Sequence, residues 1–281
     1  MAWLEYLDER WWGFLLVLAR SGGLAATAPF LGARLVPWQV RALFALALTV
    51  LFAPLVNGPD PALSFPDQGP GTGAAGGPGG AEGAVGTISA LPALMESARE
   101  VLKGALIGFG AALVISTAQM AGSLLDVEMG FGMVNVVDPT LETQAPLVGN
   151  FQHLLALIIF LLVDGHHLLL RALWESFRLF PPGTAILPEQ SAAGVLLLTA
   201  AMFSLALQLA APVLATMFLT TVALGLLART VPQMNVFFVG LPLKAGLGIL
   251  LLVFTLPIYW KAMSDLSRDL LRHLGVLMGR G

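Results

Sequence analysis

The 281-residue chain contains no cysteine, which excludes disulfides, thiolate metal sites and cysteine nucleophiles. Charge is scarce as well: Asp, Glu, Lys and Arg make up 11% of the residues, against about 25% in a typical soluble domain. The formal net charge is −3, so no basic field attracts nucleic acid. Bond-breaking signatures are missing too: there is no P-loop, no Gly-x-Ser-x-Gly elbow and no His-Glu-x-x-His. No catalytic residues, metal or cofactor are expected, and the chain reads as a non-enzyme. The opening "MAWLEYLDER" carries Glu5, Asp8 and Glu9 where a cleavable signal peptide carries positive charge, so none is expected.

What is present is apolar. Hydrophobic residues make up 57% of the chain and the mean hydropathy is +0.84. A soluble chain of this size cannot hide that much apolar surface in its own core. Lipid or other apolar subunits must cover it, and an all-α integral membrane protein follows. A crossing helix needs about 20 mostly apolar residues. Runs near that length cover Trp12–Leu31, Val40–Val56, Val101–Leu125, Gly149–Leu173, Ala192–Leu227 and Val236–Trp260, so about six long apolar helices are expected, some kinked or broken. The fifth run is too long for one straight crossing, and Pro212 is expected to kink it.

Between the second and third runs, residues 57–90 are dominated by glycine and proline and read as a solvated linker. After Trp260, Met263, Leu266, Leu270, Leu274 and Leu277 recur at helical spacing. Residues 261–281 therefore read as an amphipathic tail lying on a membrane or on partner helices. Arg34 and Arg41, and Arg229 and Lys244, flank short connections. Placing both connections in the cytoplasm satisfies the positive-inside rule and leaves both termini outside.

Several features inside the apolar runs invite a role. Gly104, Gly108, Ala112 and Ser116 share one helix face, and small residues there let another backbone approach closely. Arg20 lies inside the first run beside "SGG". It is either functional, or snorkels or caps a broken helix near Gly22 and Gly23. Asp164, Gly165 and His166 read as a helix break with Asp164 capping backbone amides. A metal site of His153, His166 and His167 is disfavoured because adjacent imidazoles crowd each other. Gln119, Gln152, Gln208, Gln233 and Asn235 suit hydrogen bonds between helices. Mid-chain, "EMGFGMVNVVDP" is too short to cross a bilayer and too apolar for a solvent loop. From the residues alone, Met129, Phe131 and Met133 pack between helices.

Four stretches in this order and spacing resemble the flagellar biosynthetic protein FliR family: "ARSGGLAATAPFLGARLVPWQVRALFALALT", "EMGFGMVNVVDP", "DGHHLLLRALWESFRLFPPG" and "ARTVPQMNVFFVGLPLKAGLG". The last, with Arg229, Pro232, Gln233, Asn235 and Pro242, is the most specific. Gly165–His166 and Ser176–Phe177 look more like the flagellar branch than like the related virulence subunits.

The resemblance implies a non-enzymatic subunit of the type III export gate, with one copy joining FliP and FliQ homologues around a conduit for unfolded flagellar substrates. FlhB and FlhA homologues are the further partners implied, and the place implied is the bacterial inner membrane at the flagellar basal body, in part raised to periplasmic level. It also implies a FliP-like part (1–190) followed by a FliQ-like helical hairpin (191–260), with Arg229, Pro232, Gln233, Asn235 and Lys244 contacting a gate partner at the cytoplasmic tip. Residues 128–138 would form a plug, with Met129, Gly130, Phe131, Gly132 and Met133 closing the conduit by apolar contact. The alternative readings are a virulence-type export subunit and a small proton-coupled transporter using Arg20, Asp164 and His166.

Overall fold

The structure is a computed structural model and describes residues 2–30, 36–56, 90–133, 146–183, 190–231, 233 and 235–277. They form α1 Ala2–Thr27, α2 Trp38–Val56, α3 Ala90–Met129, a 3-10 turn Phe131–Met133, α4 Leu147–Leu162, α5 Gly165–Leu179, α6 Gln190–Thr230 and α7 Val236–Leu277. Among the described residues there is no strand. The Gly/Pro-rich stretch up to residue 89, positions 134–138 of the plug segment, Pro232 and Met234 of the tip motif, and 278–281 of the tail lie outside the described residues.

Among the described residues, three helices are long and apolar enough to cross a membrane: Ala93–Met129, Ala193–Thr230 and Val236–Asp269. The pair α4 and α5 makes a fourth if read as one broken span. The sequence reading expected about six long apolar helices. In α1 the apolar run is interrupted by Arg20 and follows the acidic stretch at Glu5, Asp8 and Glu9. Helix α2, Trp38–Val56, is apolar and 19 residues long, near the length of about 20 that a crossing needs.

Three prolines lie inside the two long C-terminal helices. Pro212 sits inside the continuous helix α6, and Pro242 and Pro257 sit inside α7. The Thr216 hydroxyl donates to the Pro212 carbonyl at 2.9 Å, the same i to i−4 bond that Thr220 and Thr221 make in this helix. Helix α7 runs past Trp260 into the tail, so the tail continues the last apolar helix. There Met263, Ser264 and Ser267 are buried while Asp265 and Arg268 are exposed.

By packing, the chain divides into two compact units. One comprises Met1–Ala112, His167–Gly194 and Leu271–Gly281; the other comprises Leu113–His166 and Val195–Leu270. The sequence reading divides the chain at 190 and 260 instead. In the first unit Leu16, Val17 and Leu24 of α1, Leu48 and Phe52 of α2, Ile107 of α3, and Leu173 and Phe177 of α5 are buried. Phe52 stacks on Trp174, with ring centres 6.0 Å apart. In the second unit Ala121, Leu125 and Met129 of α3, Val148 of α4, and Ala206, Ala210, Val213 and Met217 of α6 form one buried cluster. The small alanines let the helices approach closely, as apolar helices do in lipid.

Candidate functional site

The end of α3 leads into the segment expected to plug a conduit. Gly130 takes φ +83°, a left-handed turn that a β-carbon disfavours. A side chain at 130 would also meet Leu241 Cδ2 at 2.7 Å. Met129 is 1% exposed and belongs to the buried cluster. Its side chain occupies the space that a β-carbon at Gly248 would need. In this chain Met129 is therefore a core residue. Phe131 is half-buried, while Gly132 is exposed with open space around it. Phe131 also lines an apolar cavity of about 320 Å³ with Leu147, Val148, Phe151, Leu252 and Tyr259.

Asp126, which the sequence reading passed over, is the polar centre of this region. It is 4% exposed. The backbone N–H groups of Val148 and Gly149 donate to its Oδ1 and Oδ2, each at 2.9 Å. These are donors of the first turn of α4, where helices leave N–H groups unpaired and favour a negative charge. Helix α4 has no cap of its own, because its N-cap position is Pro146 and no side chain bonds there. Close by, a β-carbon at Gly122 would stand 2.6 Å from Gly149 Cα, so the two backbones touch. The available signal was a pair of acids, Asp126 and Glu128, inside the apolar run "GSLLDVEMG".

A second polar cluster surrounds Arg20, which is fully buried. Its Nε donates to Glu100 Oε2 at 2.6 Å, its Nη1 to Ser176 Oγ at 3.2 Å and its Nη2 to the Phe180 carbonyl at 2.9 Å. The guanidinium carbon lies 4.4 Å from the centre of the Phe177 ring, a cation–π placement. Lys103 Nζ donates to Glu100 Oε1 at 2.8 Å, so one carboxylate serves two cations. Arg20 neither snorkels nor caps a break, since α1 runs unbroken through Gly22 and Gly23 to Thr27. Glu100 was missed because "MESARE" reads as a solvated lead-in to α3.

The small-residue face divides between neighbours. A β-carbon at Gly104 would collide with the Arg20 carbonyl, and one at Gly108 with the Thr27 hydroxyl. These two glycines seat α3 against α1 of the same chain. Ala112 is half-buried and Ser116 is exposed. At the break between α4 and α5, Asp164 takes φ 60°, and a β-carbon at Gly165 would stand 2.5 Å from the Phe160 ring. Across the turn the donor atoms of Asp164, His166 and His167 lie within 4.8 Å of one another. His153 is not among them.

At the tip between α6 and α7, Arg229, Gln233 and Asn235 are exposed and Lys244 is half-buried. Asn235 Oδ1 accepts the N–H of Phe237 at 3.2 Å, which caps α7.

Residues 11–270 match the family described as bacterial export proteins, family 1. The chain is 34% identical over 272 residues to the flagellar biosynthetic protein FliR of Bacillus subtilis (strain 168), covering 95% of each chain. The chain belongs to the FliR family. It is also 28% identical over 257 residues to the FliR of Escherichia coli (strain K12), covering 91% of this chain and 87% of that one. A shorter likeness, 34% over 159 residues, links it to the secretion system apparatus protein SsaT of Salmonella typhimurium, covering 56% of this chain and 61% of SsaT. The FliR-family match runs from α1 into α7 and so takes in Asp126, the Arg20 cluster and the tip together.

Proposed function

We propose that the chain is a non-enzymatic, membrane-embedded subunit of the flagellar type III export apparatus, and that it forms part of the conduit for unfolded flagellar substrates. The observation that carries this reading is similarity to proteins named FliR along 95% of both chains. The match to SsaT, covering 56% of this chain, supports the virulence-type apparatus as the second reading. On the primary reading the subunit sits in the inner membrane, in part raised to periplasmic level. It assembles there with FliP and FliQ homologues and meets FlhB and FlhA homologues at the tip.

Helices α6 and α7 supply the FliQ-like hairpin in this proposal. Their apolar windows are only 28% and 11% buried within the chain. Phe218, Leu219, Phe238, Val253 and Phe254 are exposed, and such faces call for lipid or sister subunits. The segment after Met129 supplies the plug, with Phe131 and Met133 closing the conduit by excluding water.

Because Met129 belongs to the core, the plug is best tested with Phe131→Ser and Met133→Ser together. Full-length protein carrying both changes should co-purify with the FliP and FliQ homologues while the assembled apparatus leaks ions. Unchanged membrane conductance would remove the plug, and failure of the unaltered chain to co-purify would remove the subunit assignment.

A further inference from the structure

We infer that Asp126 is a positioning residue whose carboxylate ties the start of α4 to the end of α3, fixing both ends of the connection that carries the plug. The functional half of this inference rests on the plug reading above; the tether itself does not.

Capping α4 requires only an oxygen at residue 146, where Ser, Thr, Asp or Asn would bond the N–H groups two and three positions on. This chain has proline there. The oxygens come instead from another helix, 22 and 23 residues earlier in sequence, and they bond the same two donors. A remote cap does something a local one does not: it joins two helices. The joint lies three residues before Met129, which is locked in the core, and four before the left-handed turn at Gly130. The backbone contact of Gly122 with Gly149 allows the approach. Departure and return of the connection are thus held at one point by a buried carboxylate, and bonds to a charged acceptor are the strong kind.

The test compares Asp126→Ala, which removes both acceptor oxygens, with the double variant Asp126→Ala, Pro146→Ser, in the full chain within the assembled apparatus. The serine restores a local cap to α4 without restoring the joint. Because the chain lacks cysteine, spin labels can be placed singly at Val127 and Leu147, which are 75% and 63% exposed. In the double variant the 127–147 distance distribution should broaden, complex yield should match the unaltered chain, and ion leak should rise about tenfold, the loss expected for one charged hydrogen bond.

A distance distribution as narrow as that of the unaltered chain overturns the tether whatever the plug does. A double variant that seals again overturns it as well, since Asp126 would then only cap a helix; one that fails to assemble would make Asp126 a folding residue. If the double variant broadens and leaks, the proposal stands. If it broadens while Phe131→Ser, Met133→Ser stays tight, the tether stands and the plug reading falls.

Discussion

Arg20 and Glu100 are eighty residues apart in sequence and 2.6 Å apart in space, with both side chains closed off from solvent. Such a pair is costly to desolvate, and removing one partner strands a buried charge at a cost of about 3–5 kcal/mol. The two partners are not equivalent here, because Glu100 also holds Lys103 at 2.8 Å. Glu100→Gln leaves two buried cations facing a neutral amide. Arg20→Met leaves Glu100 still paired with Lys103. The midpoint of heat denaturation of the purified complex should therefore fall further for Glu100→Gln than for Arg20→Met. Equal losses would show that the carboxylate is not shared in this way.

Much of the fold could be read from the sequence, and the failures have a common cause. Apolar runs gave the helices because burial needs no partner identity. Which runs cross a membrane is harder to read, because a charge inside a run, such as Arg20 in α1, is tolerated only with a partner that the run itself does not name. The small-residue face was visible as spacing, but spacing does not say which helix fills it. Gly104 and Gly108 face α1 of the same chain. Asp126 and Glu100 were invisible for a related reason. A carboxylate is explained by its partners, and these partners lie 22, 23 and 80 residues away. The left-handed turn at Gly130 was legible locally, since glycine is the residue such a turn selects.

In the segment proposed as a plug, Met129 is a core residue while Gly132 stands in open space. Met129→Ala removes a side chain that is 1% exposed and packed in the cluster with Leu125, Val213 and Met217. Large-to-small changes of this kind cost about 2–5 kcal/mol. Gly132→Ala adds a methyl group where nothing lies within 4 Å, so it should leave stability within about 0.5 kcal/mol of the unaltered chain. Thermal unfolding of the purified complex checks both. A harmless Met129→Ala would show that this side chain does not hold the cluster together.

The tip between α6 and α7 gives a sharper division of labour, because neighbouring exposed residues there have different jobs. Asn235 accepts the Phe237 N–H and caps α7, so Asn235→Ala should cost about 1 kcal/mol, and Asn235→Ser or Asn235→Asp should restore most of it. Arg229 and Gln233 are exposed beside it. In the proposed assembly they meet the cytoplasmic gate partner, where an exposed charge contributes more to encounter and orientation than to folding. Arg229→Ala with Gln233→Ala should therefore leave the unfolding midpoint in place while crosslinking to that partner and export both decline. The capping variants should show the reverse pattern, with a lower midpoint and crosslinking that recovers in Asn235→Ser. Full crosslinking and full export in the Arg229, Gln233 double variant would confine the tip to a connecting role, and a shared loss of stability would show that the two groups of residues are not separable.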